Sequence, residues 1–138
     1  MRNRLAVVLC CLLLTACLGN IEMGPGLDTI SKGFSESMRW GDYSTAAAYV
    51  MPDVRPAFLE QFTEDDDLHI VDSHISSINI YPDGKRADIS YVMEYYHLPS
   101  SRIKKWHWEQ QWQQIDDESA ESGNWMIENE PPALPWKQ

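Results

Sequence analysis

Several residue types are scarce in this 138-residue chain, and each scarcity removes a class of function. Basic side chains number 11 against 21 acids, a formal net charge of −10. Such a surface repels phosphate backbones, so the attraction that supplies nucleic-acid affinity has the wrong sign and nucleic acid is excluded as a partner. Cysteine occurs three times, at Cys10, Cys11 and Cys17, and nowhere later. A domain built from the rest has no disulfide and no thiol nucleophile. The longest apolar run, Leu5 to Leu14, falls well short of the roughly 20 residues of a spanning helix. No glycine-rich phosphate loop and no Gly-x-Ser-x-Gly nucleophile turn is present. Hydrophobic residues, by contrast, make up 43% of the chain and aromatics 11%, too much for a disordered segment. The length fits a single domain.

The N-terminus explains the cysteines. Arg2 and Arg4 precede the apolar run, and Thr15, Ala16 and Cys17 follow it, the order of a secretory signal. Leu14-Thr15-Ala16-Cys17 resembles the lipobox of bacterial lipoproteins, in which cleavage between Ala16 and Cys17 leaves the cysteine as the first residue. Cys10 and Cys11 would leave with the signal, residues 1–16, together with Arg2 and Arg4 and no acid, so that −10 becomes −12. The resemblance implies a diacylglyceryl thioether on Cys17 and usually a third acyl chain, such as palmitate, on its amine. One chain holds a protein marginally at about 0.8 kcal/mol per buried methylene, whereas two or three hold it stably. Leu18 stands where an aspartate would signal inner-membrane retention, so the family rule places the protein at the outer membrane, on its periplasmic side. Residues 17–26 contain Gly19, Gly24, Pro25 and Gly26 and read as a lipidated tether of at most about 30 Å.

From Leu27 the apolar period is helical: Leu27, Ile30, Phe34 and Met38 form one stripe, and Gly41 ends it. Asp42 predicts the cap of a second short helix over residues 45–50, which Pro52 stops. Asp53 predicts the cap of a third over residues 54–62, with Pro56 in its first turn. After the acidic run at residues 64–67 the period changes to two. A strand over residues 68–81 changes parity midway, which predicts a bulge near residues 73–76. Tyr81-Pro82-Asp83-Gly84 is a turn. The next strand places Ala87, Ile89, Tyr91, Met93 and Tyr95 on one face, and a third places Trp106, Trp108 and Trp112 with Gln110. A short strand begins at Trp125. The prolines at 131, 132 and 135 exclude the tail, residues 131–138, from a ladder. The fold class is α+β, with N-terminal helices packed on a curved four-stranded antiparallel sheet in one domain, residues 27–130.

This order, with the Trp40-Gly41-Asp42-Tyr43 break and the long hairpins, resembles the nuclear transport factor 2-like superfamily. A cystatin-like helix-on-sheet arrangement is the competing reading. The resemblance implies a cone in which helices close one face of the sheet, often around a pocket, and a superfamily that includes dehydratases and isomerases with a histidine or aspartate base. No local motif of those enzymes occurs here, so none of their catalytic residues is carried over.

The candidate pocket lining is Tyr91, Tyr95, Trp106, Trp108 and Trp112. These residues serve equally well as the core that a small cystine-free domain needs. Candidate general bases are His97, on the apolar face of its strand, then Asp72 and His74. No metal site is predicted, because His69, His74, His97 and His107 lack a close same-side pair and no thiolate assists them. The acidic runs at 64–67 and 116–121 lack the spacing of a calcium loop and read as solvated. No cofactor is implied. Trp136 points to a tail that either docks a partner or folds back over a sheet edge, the second being preferred. The sequence therefore supports a lipid-anchored envelope lipoprotein, more binding module than enzyme, facing the periplasm. Its partners would be the membrane through Cys17 and an envelope protein or small hydrophobic ligand. A dehydratase- or isomerase-type pocket enzyme with His97 or Asp72 as base is the alternative.

Overall fold

The computed structural model describes residues 26–116 and 125–138. The signal, Ala16, Cys17 and the tether lie outside the described residues, as does most of the acidic run at 116–121. Among the described residues no helix is long and apolar enough to cross a membrane.

Helix α1 (Leu27–Arg39) buries Leu27, Ile30, Phe34 and Met38, the stripe its spacing predicts. Gly41, at φ +68°, then takes the left-handed turn that a side chain would resist. The Asp42 carboxylate accepts from the Thr45 backbone N–H at 3.1 Å and caps α2 (Tyr43–Ala47), as expected. Helix α3 (Arg55–Phe62) begins differently. Val54 occupies its cap with no side-chain hydrogen bond, so the expected Asp53 cap does not form. The preceding turn starts the helix instead, with the Val54 and Arg55 N–H groups both donating to the Met51 carbonyl.

Four strands follow: β1 (Leu68–Ile80), β2 (Arg86–His97), β3 (Lys104–Gln114) and β4 (Trp125–Ile127). They form one antiparallel sheet in chain order. The expected α+β architecture is the one observed. Along β1 the register shifts twice, between Ile70 and Asp72 and between Ile75 and Ser77, so the parity change is shared by two irregularities. The Gly84 N–H donates to the Tyr81 carbonyl at 2.9 Å, and Gly84 sits at φ +69°, which closes the β1–β2 turn. The far edge is covered by the segment after α2. The Met51 N–H donates to the Ile127 carbonyl, and the Ile127 N–H to the Tyr49 carbonyl.

The core lies between helices and sheet. The Phe34 ring meets those of Tyr49, Phe58, Tyr91, Trp108 and Trp112, with centroids 5.3–6.3 Å apart. Ser35, Ser73 and Tyr91 form a buried hydroxyl chain joining α1 to β1 and β2, at 3.0 and 2.7 Å. The Gln110 side-chain carbonyl, fully buried, accepts from Trp112 Nε1 at 2.9 Å. Each ring in this cluster contributes about 1.5–3 kcal/mol by leaving water, which is how a domain without cystine holds together.

Candidate functional site

The alternation that buries the tryptophans also builds the site. On β3 the inward row runs Trp112, Gln110, Trp108, Trp106 and then, at the strand's first residue, Lys104, which is exposed. Lys104 stands opposite Tyr95 in the register. On β2 the inward row runs from Ala87 to Tyr95 and ends at His97. Both rows therefore change from buried aromatic to basic at the same rim. Arg102, two residues before Lys104 and exposed, adds a second cation just after the turn at residues 98–99.

A cleft of about 350 Å³ opens at this rim, between that turn and the C-terminal tail. Tyr95, His97, Ser100, Arg102, Lys104 and Trp136 supply its aromatic and polar lining. Trp136 is placed by the tail, whose turn Pro135–Lys137 follows the fully buried Leu134. Gln61 on α3 holds the tail by donating from Nε2 to the Pro131 and Pro132 carbonyls and accepting at Oε1 from the Leu134 N–H, each near 3 Å. The Trp136 ring lies 4.3 Å from the His97 ring and 5.0 Å from the Tyr95 ring, centroid to centroid. The tail thus folds back as preferred, but against α3 and the end of β2. It does not cover a sheet edge.

Behind the cleft His97 Nε2 lies 3.1 Å from Asp65 Oδ1, and Trp136 Nε1 donates to Asp65 Oδ2 at 2.8 Å. The Asp65 side chain is 11% exposed and that of His97 25%, so the pair is mostly covered, His97 being the more reachable member. Burial pushes the Asp65 carboxyl upward. Hydrogen bonds from Trp136 and His97, the His97 charge and the Asp67 backbone outweigh it and hold the group below its ordinary range. Glu64, at φ +66°, sets the direction in which Asp65 leaves α3.

The other candidates fall elsewhere. Tyr91, Trp106, Trp108 and Trp112 are 0–5% exposed, and they and Tyr95 belong to one continuous core. Of the five candidate lining residues, Tyr95 reaches the rim cleft, and Trp112 borders a second, smaller one of about 150 Å³. Burial drives the Tyr91 phenol far above its ordinary range, against the smaller opposing effect of the Ser73 hydrogen bond, and so keeps it neutral. Asp72 pairs with His74 on β1, Oδ2 to Nδ1 at 3.1 Å, with both side chains at least 40% exposed. The structure does not bring Asp72 to His97. His69 stacks on Tyr96 with ring centroids 4.8 Å apart. Among the described residues no group of three or more His, Cys, Asp or Glu side chains could hold a metal ion.

Asp65, Arg102 and Lys104 are the site residues that reading the chain alone misses; Trp136 is singled out there, but not as a neighbour of His97. Asp65 is concealed inside an acidic run. Lys104 and Arg102 are legible in hindsight as even positions continuing the tryptophan row.

No family model matches the chain, and no curated protein matches it. A solved structure from Xanthomonas campestris pv. campestris, described as a candidate polyketide cyclase, is similar at a TM-score of 0.40 with 15% identity. The similarity covers 72% of this chain and 87% of that one. Likeness at this level assigns no activity.

Proposed function

We propose that this chain is a lipid-anchored envelope lipoprotein whose domain is a non-enzymatic binding module, built on a nuclear transport factor 2-like cone. Acyl chains on Cys17 hold it at the outer membrane, on the periplasmic side, and the rim cleft receives a protein or small hydrophobic ligand. One observation carries the binding reading: Phe34, Tyr91, Trp108 and Trp112, at 0–1% exposure, fill the space between helices and sheet that a buried catalytic pocket would need. The rim cleft, which solvent reaches, lies outside that space. Its volume is at the lower end of the range for small-ligand sites.

A pocket enzyme of dehydratase or isomerase type is the second reading, and the His97–Asp65 pair favours it. A carboxylate 3.1 Å from an imidazole can fix the orientation of the ring, which a general base needs. Asp72, the other candidate base, lies opposite Glu94 in the register and pairs with His74 instead.

The experiment is purification of the lipidated protein from membranes under mild detergent. A stoichiometric protein or a retained small molecule supports the module. A partner-free, ligand-free protein in which His97→Gln abolishes a measurable isomerase or dehydratase turnover would overturn it in favour of the enzyme.

A further inference from the structure

We infer that the rim cleft is a binding site for a small organic anion with a flat apolar body, such as an aryl carboxylate. This inference rests on the binding-module reading and names the ligand chemistry of that same cleft. The chain carries 21 acids against 11 bases, yet no aspartate or glutamate lines this cleft, whereas Arg102, Lys104 and His97 do. In so acidic a protein a cleft bordered only by basic and neutral groups is a local reversal of sign. Water-excluding walls focus that potential on whatever enters.

The placement of the cations adds a second, independent argument. Lys104 occupies an inward position of β3, in the row that buries Trp106, Trp108 and Trp112, where alternation calls for another apolar residue. Neither Lys104 nor Arg102 makes an ion pair among the described residues, whereas Lys105, on the outward row, pairs with Glu94 at 3.1 Å. Two unpaired cations at the end of an aromatic row can meet the anionic head of a ligand. Guanidinium suits a carboxylate through paired N–H donors. The flat body has its own complement in the Trp136 and Tyr95 rings, 5.0 Å apart at the cleft wall. The Asp65 carboxylate does not itself line the cleft; it is hydrogen-bonded by Trp136 and His97, which do.

The test is equilibrium dialysis of the full-length protein in lipid nanodiscs, with empty nanodiscs as the blank. Two probes of like size are compared, 1-naphthoate and the neutral 1-naphthalenemethanol. Naphthoate should bind about tenfold more tightly, the difference expected for one charge-assisted contact. Arg102→Gln with Lys104→Gln should abolish that preference while the neutral probe is unaffected. Both side chains are exposed, so the double variant should fold, and its far-ultraviolet circular dichroism is checked against wild type. Equal binding of the two probes, binding of neither, or a preference that survives the double substitution overturns the anion site. A protein partner recovered from membranes would still stand in each of those cases, so the two readings fail separately.

Discussion

Trp136 Nε1 donates to Asp65 Oδ2 at 2.8 Å, while Oδ1 of the same carboxylate lies 3.1 Å from His97 Nε2. One side chain, just beyond the end of α3, therefore ties the C-terminal tail to the last residue of β2. The partners stand 71 and 32 positions from it in sequence. If this junction holds the rim together, removing either partner should weaken the whole domain as well as the tail. Asp65→Ala is expected to cost about 1.5–3 kcal/mol, since both of its charge-assisted hydrogen bonds are lost. Trp136→Phe keeps a ring against His97 and Tyr95 but removes the donor. A double-mutant cycle by urea unfolding at pH 7 should show coupling on the order of 1 kcal/mol. Strictly additive effects would mean that the tail is held by Gln61 and Leu134 alone.

The same carboxylate gives the domain a pH dependence of definite sign. Asp65 is held below its ordinary range in the fold, because the hydrogen bonds and charge around it outweigh the opposing effect of burial. A depressed carboxyl favours the folded state when ionised. Its contribution is complete above the unfolded value of about 3.9 and is lost as pH falls through the folded value. Unfolding measured between pH 6 and pH 2 should therefore show a steeper acidic limb in wild type than in Asp65→Asn. Parallel limbs in the two proteins would remove Asp65 from the acid response.

Glu64 is a non-glycine residue at φ +66°, just past the end of α3, where helices commonly place glycine. The left-handed conformation costs such a residue roughly 1–2 kcal/mol. Glycine would remove that cost and lose about 0.5–1 kcal/mol through the greater freedom of the unfolded chain. Glu64→Gly should therefore stabilise the domain slightly, by about 0.5–1 kcal/mol, without moving Asp65. A thermal midpoint lowered by the substitution would show that the Glu64 side chain makes a contribution larger than its backbone cost.

These residues also mark what was legible in the sequence. Asp42 is readable as a cap because its partner, Thr45, is three residues away. The inward faces of β2 and β3 are readable because alternation is local. Gly84 declares its turn by the conformation it alone adopts cheaply. Asp65 offers no such signal. It stands in a run of four acids, and only the pairing of α3's end with a strand end and a tail turn separates it from Glu64 and Asp66. Asp53 fails for a local reason. It has the chemistry of a cap, yet the turn at Met51 starts the helix one residue later. Trp136 is conspicuous in sequence, but its destination depends on Gln61 catching the proline carbonyls, a contact across some 70 positions. Apart from Asp53, residues whose role depends on neighbours near in sequence are read correctly, and those whose partners arrive through tertiary folding are not.

The envelope reading depends on one residue outside the described part of the chain, and it makes the sharpest cellular prediction. On the proposed reading, acyl chains on Cys17 would supply the membrane attachment, because the chain is acidic and would be repelled by anionic headgroups. On that reading, Cys17→Ser removes the thiol that would carry the diacylglyceryl group. Cleavage at a lipobox depends on that modification, so the variant should accumulate as an uncut precursor or be processed elsewhere and released as a soluble periplasmic protein. Fractionation of cells expressing each form, with metabolic labelling by a palmitate analogue, distinguishes these outcomes. Wild type should carry label and sediment with outer membranes. The serine variant should carry none, and any cleaved portion should remain in the supernatant. A mature-length, unlabelled Cys17→Ser protein that still sediments with the outer membrane would place the attachment in the domain. The exposed Trp40, Ile80 and Ile103 side chains would then be the first surfaces to test.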